Sequence, residues 1–161
     1  MPAYIKLGDI KGNATDEDHK DWVIIESLSS PIYRSIPDGA VDQQRTQGET
    51  TLGDVVVMRQ LDKSSTKIME AVATGKFLKE VEIHFCSTIN NKQVPYLMYK
   101  LYNVIISSYA ISANAAGDPL PTESVTLGYS KVDWTYDDLD STTGDSKGKV
   151  PTKYDPGKSR A

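Results

Sequence analysis

The sequence predicts a mainly β domain: a closed or near-closed antiparallel β-barrel of two packed sheets, with one short α-helix on its side. Three observations favour this class. Apolar and polar residues alternate through most of the chain, with the period of two typical of strands. The alternation gives way to a helical period between Ser64 and Gly75. The apolar side of the last alternating segment changes between Gly128 and Lys131. We interpret that change as a β-bulge near Gly128, which would curl a long strand around a small barrel.

The alternation predicts eight strands. In chain order they are Ala3–Leu7, Lys20–Ser29, Pro31–Ile36, Gly53–Leu61, Leu78–Cys86, Val94–Leu101, Asn103–Ser112 and Ser124–Tyr136. Asn103 follows the sixth strand almost at once, so the sixth and seventh strands are either a hairpin or one bent long strand.

The helix is predicted from its start, face and end. Ser64 or Ser65 can cap the first turn, and Ile68, Met69 and Val72 share one side. Gly75 stands where a left-handed residue usually ends a helix. The sequence therefore predicts a strand–helix–strand unit inside an otherwise β domain.

Composition excludes several classes of function. The chain has 161 residues, a net charge of −4 and a single cysteine, Cys86. One domain fits this length. The acidic balance gives no electrostatic footprint for nucleic acid, and no apolar run is long enough for membrane insertion by a helix. Met1–Asp9 lacks the pattern of a signal peptide, and an internal disulfide is impossible. We therefore expect folding in the cytoplasm, without nucleic-acid or membrane partners.

The polar residues predict no catalytic, cofactor-binding or metal site, and hence no enzyme. His19 and His84 lie 65 positions apart without metal-ligand spacing. His84 and Cys86 share strand parity, which leaves open a Cys–His pair or an exposed histidine beside a small semi-buried residue. The acidic run from Asp16 to Asp21 lacks the glycine and glutamate of a calcium loop, and we interpret it as a solvated turn.

Three motifs resemble one known family. LDKSSTKIMEAVATGK is similar to the helix-bearing core of the Hcp proteins, the tube subunits of bacterial type VI secretion systems. YIKLGDIKGNATDEDHKDWVIIESLS resembles the opening of that family, and TESVTLGYSKVDWTY its long closing strand. The motifs occur in the family's order from residue 4 to residue 136.

The resemblance implies a structural protein without an active site or cofactor. Six copies would form a homohexameric ring, and rings would stack into a tube that a contractile sheath expels beneath a VgrG-like spike, with effector proteins in the lumen. Export would proceed through this machine, from the cytoplasm to the extracellular space or a target cell. The loop 38–53 corresponds to a protruding loop of the family. It predicts subunit or ring-stacking contacts at Asp38, Gln43, Gln44, Arg45, Gln47 and Glu49.

Two further expectations concern small residues and the tail. The run of small residues from 112 to 117 predicts Ser112 and Asn114 as residues of a loop bordering the lumen. We divide the chain into an Hcp-like barrel domain, 1–136, and a polar tail, 137–161. The tail alone should be disordered, with Pro151 and Tyr154 as its anchors. The competing hypotheses are a monomeric β-barrel that binds a small apolar ligand and an enzyme that depends on His84, Cys86 or His19.

Overall fold

The structure is a computed structural model that describes residues 1–36, 38–39, 41, 48–114, 116–117 and 120–157. Within these ranges the chain forms eleven strands and one helix. The strands are β1 (Ala3–Leu7), β2 (Val23–Ile25), β3 (Ser27–Ser29), β4 (Ile32–Arg34), β5 (Thr50–Leu52), β6 (Val55–Gln60), β7 (Phe77–Ile89), β8 (Lys92–Ser112), β9 (Thr122–Gly128), β10 (Lys131–Leu139) and β11 (Ser146–Tyr154). Helix α1 (Ser65–Thr74) connects β6 to β7.

Nine of the described strands form one antiparallel sheet. Its main path is β2-β1-β7-β8-β9-β6-β3, while β10 pairs with β8 and carries β11 on its other side. We predicted a closed or near-closed barrel, and the closed form is wrong, because the end strands β2 and β3 do not pair with each other. They are consecutive pieces of one segment, split at Glu26, and the first pairs with β1 while the second pairs with β6. The segment therefore bends from one side of the sheet to the other instead of closing a ladder.

The core lies on one face of this bent sheet and includes residues of α1. Ile5, Val23, Val57, Ile83 and Leu101 are each at most 1% exposed. They come from five different strands, and Ile68 and Ala71 of α1 are buried in the same cluster. Burial of apolar side chains at about 25 cal/mol per Å2 is the main force that holds such a layer together. The helix thus caps the apolar face that the alternation predicted.

Helix α1 begins and ends at the predicted residues, but the hydrogen bonds at its start differ from a serine cap. Gly75 is the C-cap with φ 65° and ψ 39°, the left-handed conformation that favours glycine. Ser64 is the N-cap, but its side chain makes no capping hydrogen bond. Instead the Asp62 carboxylate accepts the backbone N–H of Ser64 at 2.7 Å, and the Ser65 hydroxyl accepts the N–H of Asp62 at 3.0 Å. The carboxylate two residues before the predicted cap therefore organises the helix start.

The long strands are interrupted at different positions from those predicted. The sixth and seventh predicted strands are one strand, β8, and the last predicted strand is broken at Tyr129 and Ser130 into β9 and β10. The predicted change of apolar side is confirmed, since Leu127 and Val132 are both buried. The predicted bulge near Gly128 is wrong, because the register across the break is continuous, and the nearest irregularity of this ladder lies on β8 after Ile106.

The tail forms a hairpin with β10. Pairs run from Val132↔Tyr154 to Leu139↔Ser146, so the disorder expected for residues 146–154 in isolation does not describe this segment. Tyr154 packs against the core as predicted, whereas Pro151 is exposed. Backbone pairing with β10, rather than an apolar face, positions β11.

Candidate functional site

Five neighbouring strands, β1, β7, β8, β10 and β11, present two chemically different faces. On one face, directly paired residues alternate in charge from strand to strand. This polar row is Lys6, Glu82, Lys100, Asp133 and Lys153. Opposite charges on paired residues attract each other, which favours this register of the strands.

The other face carries an apolar row. Its paired residues are Ala3, Phe85, Leu97, Tyr136 and Val150. Ala3 is buried, but Tyr136 is 49% exposed and Val150 is 62% exposed. The core-facing side of the sheet therefore continues beyond the core onto the β10–β11 hairpin, where no described part of the chain covers it.

A second exposed apolar pair lies across β7 and β8. Phe77 and Ile105 are register partners and are 58% and 46% exposed. The pair sits at the other end of β7 from Phe85, next to the C-terminus of α1. The described part of the chain thus carries at least these two separate apolar surfaces.

Strands β4 and β5 form an arm, defined here as residues 32–52, that pairs with no other described strand. Its register is Ile32↔Leu52 and Arg34↔Thr50, and Ser35 continues the ladder by donating its N–H to Glu49 O at 2.9 Å. Ile32, Tyr33, Ile36 and Val41 on this arm are all more than half exposed. Sequence reasoning missed β5, because a three-residue polar strand carries no detectable alternation.

The predicted contact residues fall on this arm. Asp38 and Glu49 are described, and Glu49 takes part in the ladder to Ser35. Gln43, Gln44, Arg45 and Gln47 lie outside the described residues. A Cβ atom on Gly48 would collide with the Ser35 carbonyl oxygen. The backbones of Ser35 and Gly48 are therefore in close contact, which only glycine permits at position 48.

The predicted lumen residues stand at the end of β8. Ser112 is the last residue of β8 and pairs with Thr122. Asn114 is exposed, and its side-chain oxygen accepts the N–H of Ala116 at 3.1 Å. Both face solvent, and their place relative to a lumen stays a prediction.

The structure brings His19, His84 and Cys86 together, which the sequence spacing did not indicate, and the alternative of an exposed histidine beside a semi-buried Cys86 is wrong, because the His84 side chain is 18% exposed and Cys86 is fully buried. His19 is 1% exposed, its Nε2 lies 2.9 Å from Nδ1 of His84, and its Nδ1 lies 2.5 Å from the Asp16 carboxylate. Cys86 Sγ lies 3.8 Å from the same Nε2. The acidic run is therefore not only a solvated turn, because it folds back over the sheet and carries His19 onto β7.

Aromatic rings enclose this histidine cluster. Tyr4 stacks on His19 with ring centroids 4.6 Å apart, and Trp22 meets the edge of His19 at 4.9 Å. Burial, together with His19, lowers the pKa of His84 to about 4. Burial, with Asp16 and Asp18 nearby, raises the pKa of the Cys86 thiol to about 12. A neutral, enclosed thiol is a poor nucleophile.

A second buried polar cluster holds the start of α1. The Arg59 guanidinium, 1% exposed, contacts the Asp62 carboxylate and lies 3.4 Å from Glu123 Oε2. The Tyr109 hydroxyl donates to Glu123 Oε1 at 2.5 Å. Burial would raise the pKa of Asp62, but hydrogen bonds from Ser64 and Arg59 outweigh it and hold that pKa below its usual range. This arrangement is a structural clamp between β6, β9 and α1.

Two kinds of feature are absent from the described ranges. No group of three or more His, Cys, Asp or Glu side chains there is arranged to hold a metal ion. No described helix has the length and hydropathy to cross a bilayer.

Comparison with known proteins points to one family. The sequence model described as "Type VI secretion system effector, Hcp" matches residues 4–136. The chain is 27% identical over 133 residues to Protein hcp1 of Pseudomonas aeruginosa, covering 83% of this chain and 81% of that protein. It is also 27% identical over 149 residues to the Major exported protein of the same organism, covering 89% and 84% of the two chains. A solved structure described as that of a type six secretion system protein superposes with a TM-score of 0.87 and 26% identity, covering 96% of this chain and 94% of the other.

Proposed function

This chain belongs to the Hcp family of type VI secretion proteins, and from that premise we propose that six copies close into a ring that is the repeating unit of the secretion tube. The role is mechanical. A tube subunit needs matching lateral surfaces, axial contacts and a passage, and none of these requires a nucleophile or a metal.

The observation that carries the proposal is the uncovered apolar pair of Tyr136 and Val150. The row that buries Ala3 inside the domain extends to these two side chains on the β10–β11 hairpin, where Tyr136 is 49% and Val150 is 62% exposed. Contiguous apolar surface of this kind on a sheet face is typical of a protein interface. We assign the face to the lateral contact with the neighbouring subunit.

A closed ring of identical subunits requires two different surfaces on each copy, because its contacts are head-to-tail. The Phe77–Ile105 pair is a second exposed apolar surface, at the other end of β7. We therefore propose that the β10–β11 face of one subunit meets the side of the next subunit that carries Phe77 and Ile105.

Sedimentation velocity at micromolar subunit concentration tests the ring. We expect the wild type to sediment as a hexamer, and a wild type that is monomeric throughout this range would contradict the proposal. Replacing Tyr136→Thr and Val150→Thr keeps strand-forming residues but removes the apolar surface, and should dissociate the ring. Met69→Gln on α1, a 36% exposed apolar residue outside either pair, is the matched control.

Stacking of the rings is assigned to the arm, residues 32–52. Its strands pair with no described strand of the main sheet, although Leu52 packs against the core, and it exposes Ile32, Tyr33, Ile36 and Val41, so it can reach an adjacent subunit or the next ring. The contact residues predicted from sequence, Asp38, Gln43, Gln44, Arg45, Gln47 and Glu49, belong to this proposal. Replacing residues 38–47 with a short Gly-Ser turn keeps the Ser35–Glu49 ladder and should abolish tubes while rings persist. Unchanged tube formation in electron micrographs would overturn this role.

The remaining expectations follow from the proposed role as a tube subunit. Ser112 and Asn114 would border the lumen, effector proteins would occupy it, and a VgrG-like spike and a contractile sheath would be the partners at its end and around it. The subunit would be made in the cytoplasm and exported by firing, without enzymatic activity. The alternative of a monomeric barrel that holds an apolar ligand has no support. A cleft of about 470 Å3 beside α1 is lined by charged residues that include Lys11, Lys63, Lys67 and Lys76.

A further inference from the structure

A chain of hydrogen bonds connects a loop to the sheet through two imidazole rings. The loop, residues 10–22, lies across β1 and β7 and carries Asp16 and His19. Asp16 Oδ2 lies 2.5 Å from His19 Nδ1, and His19 Nε2 lies 2.9 Å from Nδ1 of His84 on β7. Because the carboxylate accepts the proton of Nδ1, the nitrogen that His19 turns to the sheet is Nε2.

The hydrogen bond between the His19 and His84 rings tolerates only one proton between their facing nitrogens. One proton between His19 Nε2 and His84 Nδ1 makes the hydrogen bond, whichever ring carries it. When both rings are protonated, each nitrogen carries an N–H and the two donors face each other at 2.9 Å. Like charges then repel inside a site where His19 is 1% exposed. Acid therefore converts the contact from attraction to repulsion.

Beyond Ile10, which is buried in the main core and bridged to Leu7 of β1, the loop is attached to the sheet mainly through this contact and the small cluster around it. Its own hydrogen bonds are mainly internal, from Gly12 N to Asp21 O at 2.7 Å and from Ala14 N to Trp22 O at 3.0 Å. Against the sheet it offers Ala14, His19 and Trp22, which pack on Tyr4 and Cys86. This cluster is small and separate from the main core. Few other contacts are therefore present to offset the repulsion between two N–H groups that face each other in its middle.

The charged surroundings do not remove the repulsion. Glu82 Oε2 lies 3.7 Å from His84 Nε2 and can balance one charge on that ring, but Glu82 also faces Lys6 and Lys100 in the polar row. The titratable and charged groups around the pair are Asp16 and Asp18 on the loop, Tyr4 and Lys6 on β1, Glu82 and Cys86 on β7, and Lys100 on β8. Asp16 contacts His19 at Nδ1 and Glu82 lies near His84 Nε2, so both carboxylates stand at the outer nitrogens of the pair and neither contacts the two nitrogens that face each other.

We propose that the His19–His84 contact is an acid-sensitive latch, which holds the loop 10–22 on the sheet near neutral pH and releases it in acid, uncovering Tyr4, Trp22 and Cys86. The inference does not rest on the proposed function, since it follows from the geometry of one subunit. The latch makes the exposed surface of a single subunit depend on pH.

The direction of the pH dependence follows from the depressed pKa of His84, about 4 against an ordinary 6.5. In the released form His84 takes up a proton near pH 6.5, whereas in the closed form it resists protonation until about pH 4. Closure is therefore fully favoured above pH 6.5. The ratio of closed to released loop falls by up to tenfold per pH unit between pH 6.5 and pH 4.

Amide hydrogen exchange of the whole protein at pH 7.0, 6.0, 5.0 and 4.5 tests the latch, with rates corrected for the intrinsic pH effect. The hydrogen bonds of Gly12, Ala14 and Asp21 lie within the loop, and a short paired segment that has lost its support on the sheet is not stable in water. We therefore expect protection of these three amides to fall at least tenfold from pH 7.0 to pH 4.5. The Ile68 amide of α1, which donates to Ser64 O, is the internal control and should keep its protection. In His84→Gln, whose neutral amide can still bond to His19, the loop should lose this pH dependence.

Loop protection that does not fall in the wild type, or that falls equally in His84→Gln, would overturn the proposal. An NMR titration of the wild-type histidines decides the matter if the variant does not fold. We expect the His84 ring to titrate at least one unit below 6.5, in step with the loss of loop protection. A His84 ring that titrates near pH 6.5, with the loop amides still protected from exchange at pH 4.5, would also contradict the latch.

Discussion

The side-chain amide of Asn103 donates to the Ser130 hydroxyl at 2.8 Å, at the level where two paired strands both change their buried side. On β8 the buried residues change from Leu101 to Val104, and on the facing strands they change from Leu127 to Val132. Asn103 has φ 54°, and Ser130 donates its N–H to Tyr102 O at 3.1 Å. One left-handed residue and one strand break thus reverse both faces together, without a shift of register.

This relationship predicts a different cost for two replacements of Asn103. Asn103→Val places a β-branched side chain in a left-handed conformation and loses the bond to Ser130, which should lower the free energy of unfolding by about 2 kcal/mol. Asn103→Gly loses only the bond and should cost about 1 kcal/mol or less. Urea denaturation at a fixed subunit concentration measures both. Equal costs for the two variants would show that the backbone conformation is not what Asn103 provides.

The sequence could reveal this reversal but not its cause. The change of parity between Gly128 and Lys131 is local and visible, whereas the left-handed residue that accompanies it lies on another strand, 27 positions from Ser130. Asn90 and Asn91, with φ 50° and 61°, form the tight turn between β7 and β8. An Asn-Asn pair between alternating segments favours such a turn, and this local signal would have extended the two predicted strands toward each other.

Long-range pairing explains the other differences. His19 and His84 are joined only by the fold of the loop 10–22, and strand parity could not show this contact. β11 has no buried apolar face, since all of its residues except the half-buried Tyr154 are exposed. Its order comes from the backbone ladder to β10, which composition does not encode. The C-terminus of the helix was predictable to within a residue, because Gly75 is a local signal. The role of Asp62 was not, because Asp62 contacts Arg59, and Arg59 in turn contacts Glu123 on a distant strand.

The Arg59 clamp predicts a large effect at Asp62. Asp62→Ala leaves the buried guanidinium without one of its two carboxylates and removes the acceptor at the start of α1. We expect the free energy of unfolding to fall by about 3 kcal/mol. Lys67→Ala, which breaks an exposed ion pair with Glu70 on the same helix, is the control and should cost less than about 0.5 kcal/mol. A cost for Asp62→Ala as small as that of the control would contradict the clamp.

The helix C-cap gives a prediction with a matched glycine control. Gly75→Ala has free space around the new methyl group, so its cost comes only from the left-handed backbone at φ 65° and should be about 1 kcal/mol. Gly117→Ala also meets open space but has no left-handed φ, and it should be neutral. Thermal unfolding of the two variants side by side tests this. A neutral Gly75→Ala would mean that the last turn of α1 rearranges.

Cys86 should be chemically silent in the folded protein near neutral pH. It is 0% exposed, and burial with Asp16 and Asp18 raises its pKa to about 12. We expect a colorimetric disulfide reagent at pH 7.5 to label it at least a hundredfold more slowly than in guanidinium chloride, because only the released or unfolded protein presents a thiol. Rapid labelling of the folded protein at pH 7.5 would show that the loop 10–22 is open even without acid.

The last prediction separates a structural role from a catalytic one. Cys86 and His84 are the residues on which an enzyme hypothesis would depend, and they do lie near the same histidine, His19. A tube subunit needs neither a nucleophile nor a base, so the double variant Cys86→Ala, His84→Gln should form hexamers and be secreted at wild-type levels. Its free energy of unfolding should fall by no more than about 2 kcal/mol, from the lost sulfur contacts and ring packing. Tyr136→Thr with Val150→Thr, which leaves this cluster intact, should instead abolish secretion together with the ring. If the first variant forms normally stable rings in sedimentation velocity but fails to be secreted, the histidine cluster has a chemical role that a purely mechanical subunit does not require.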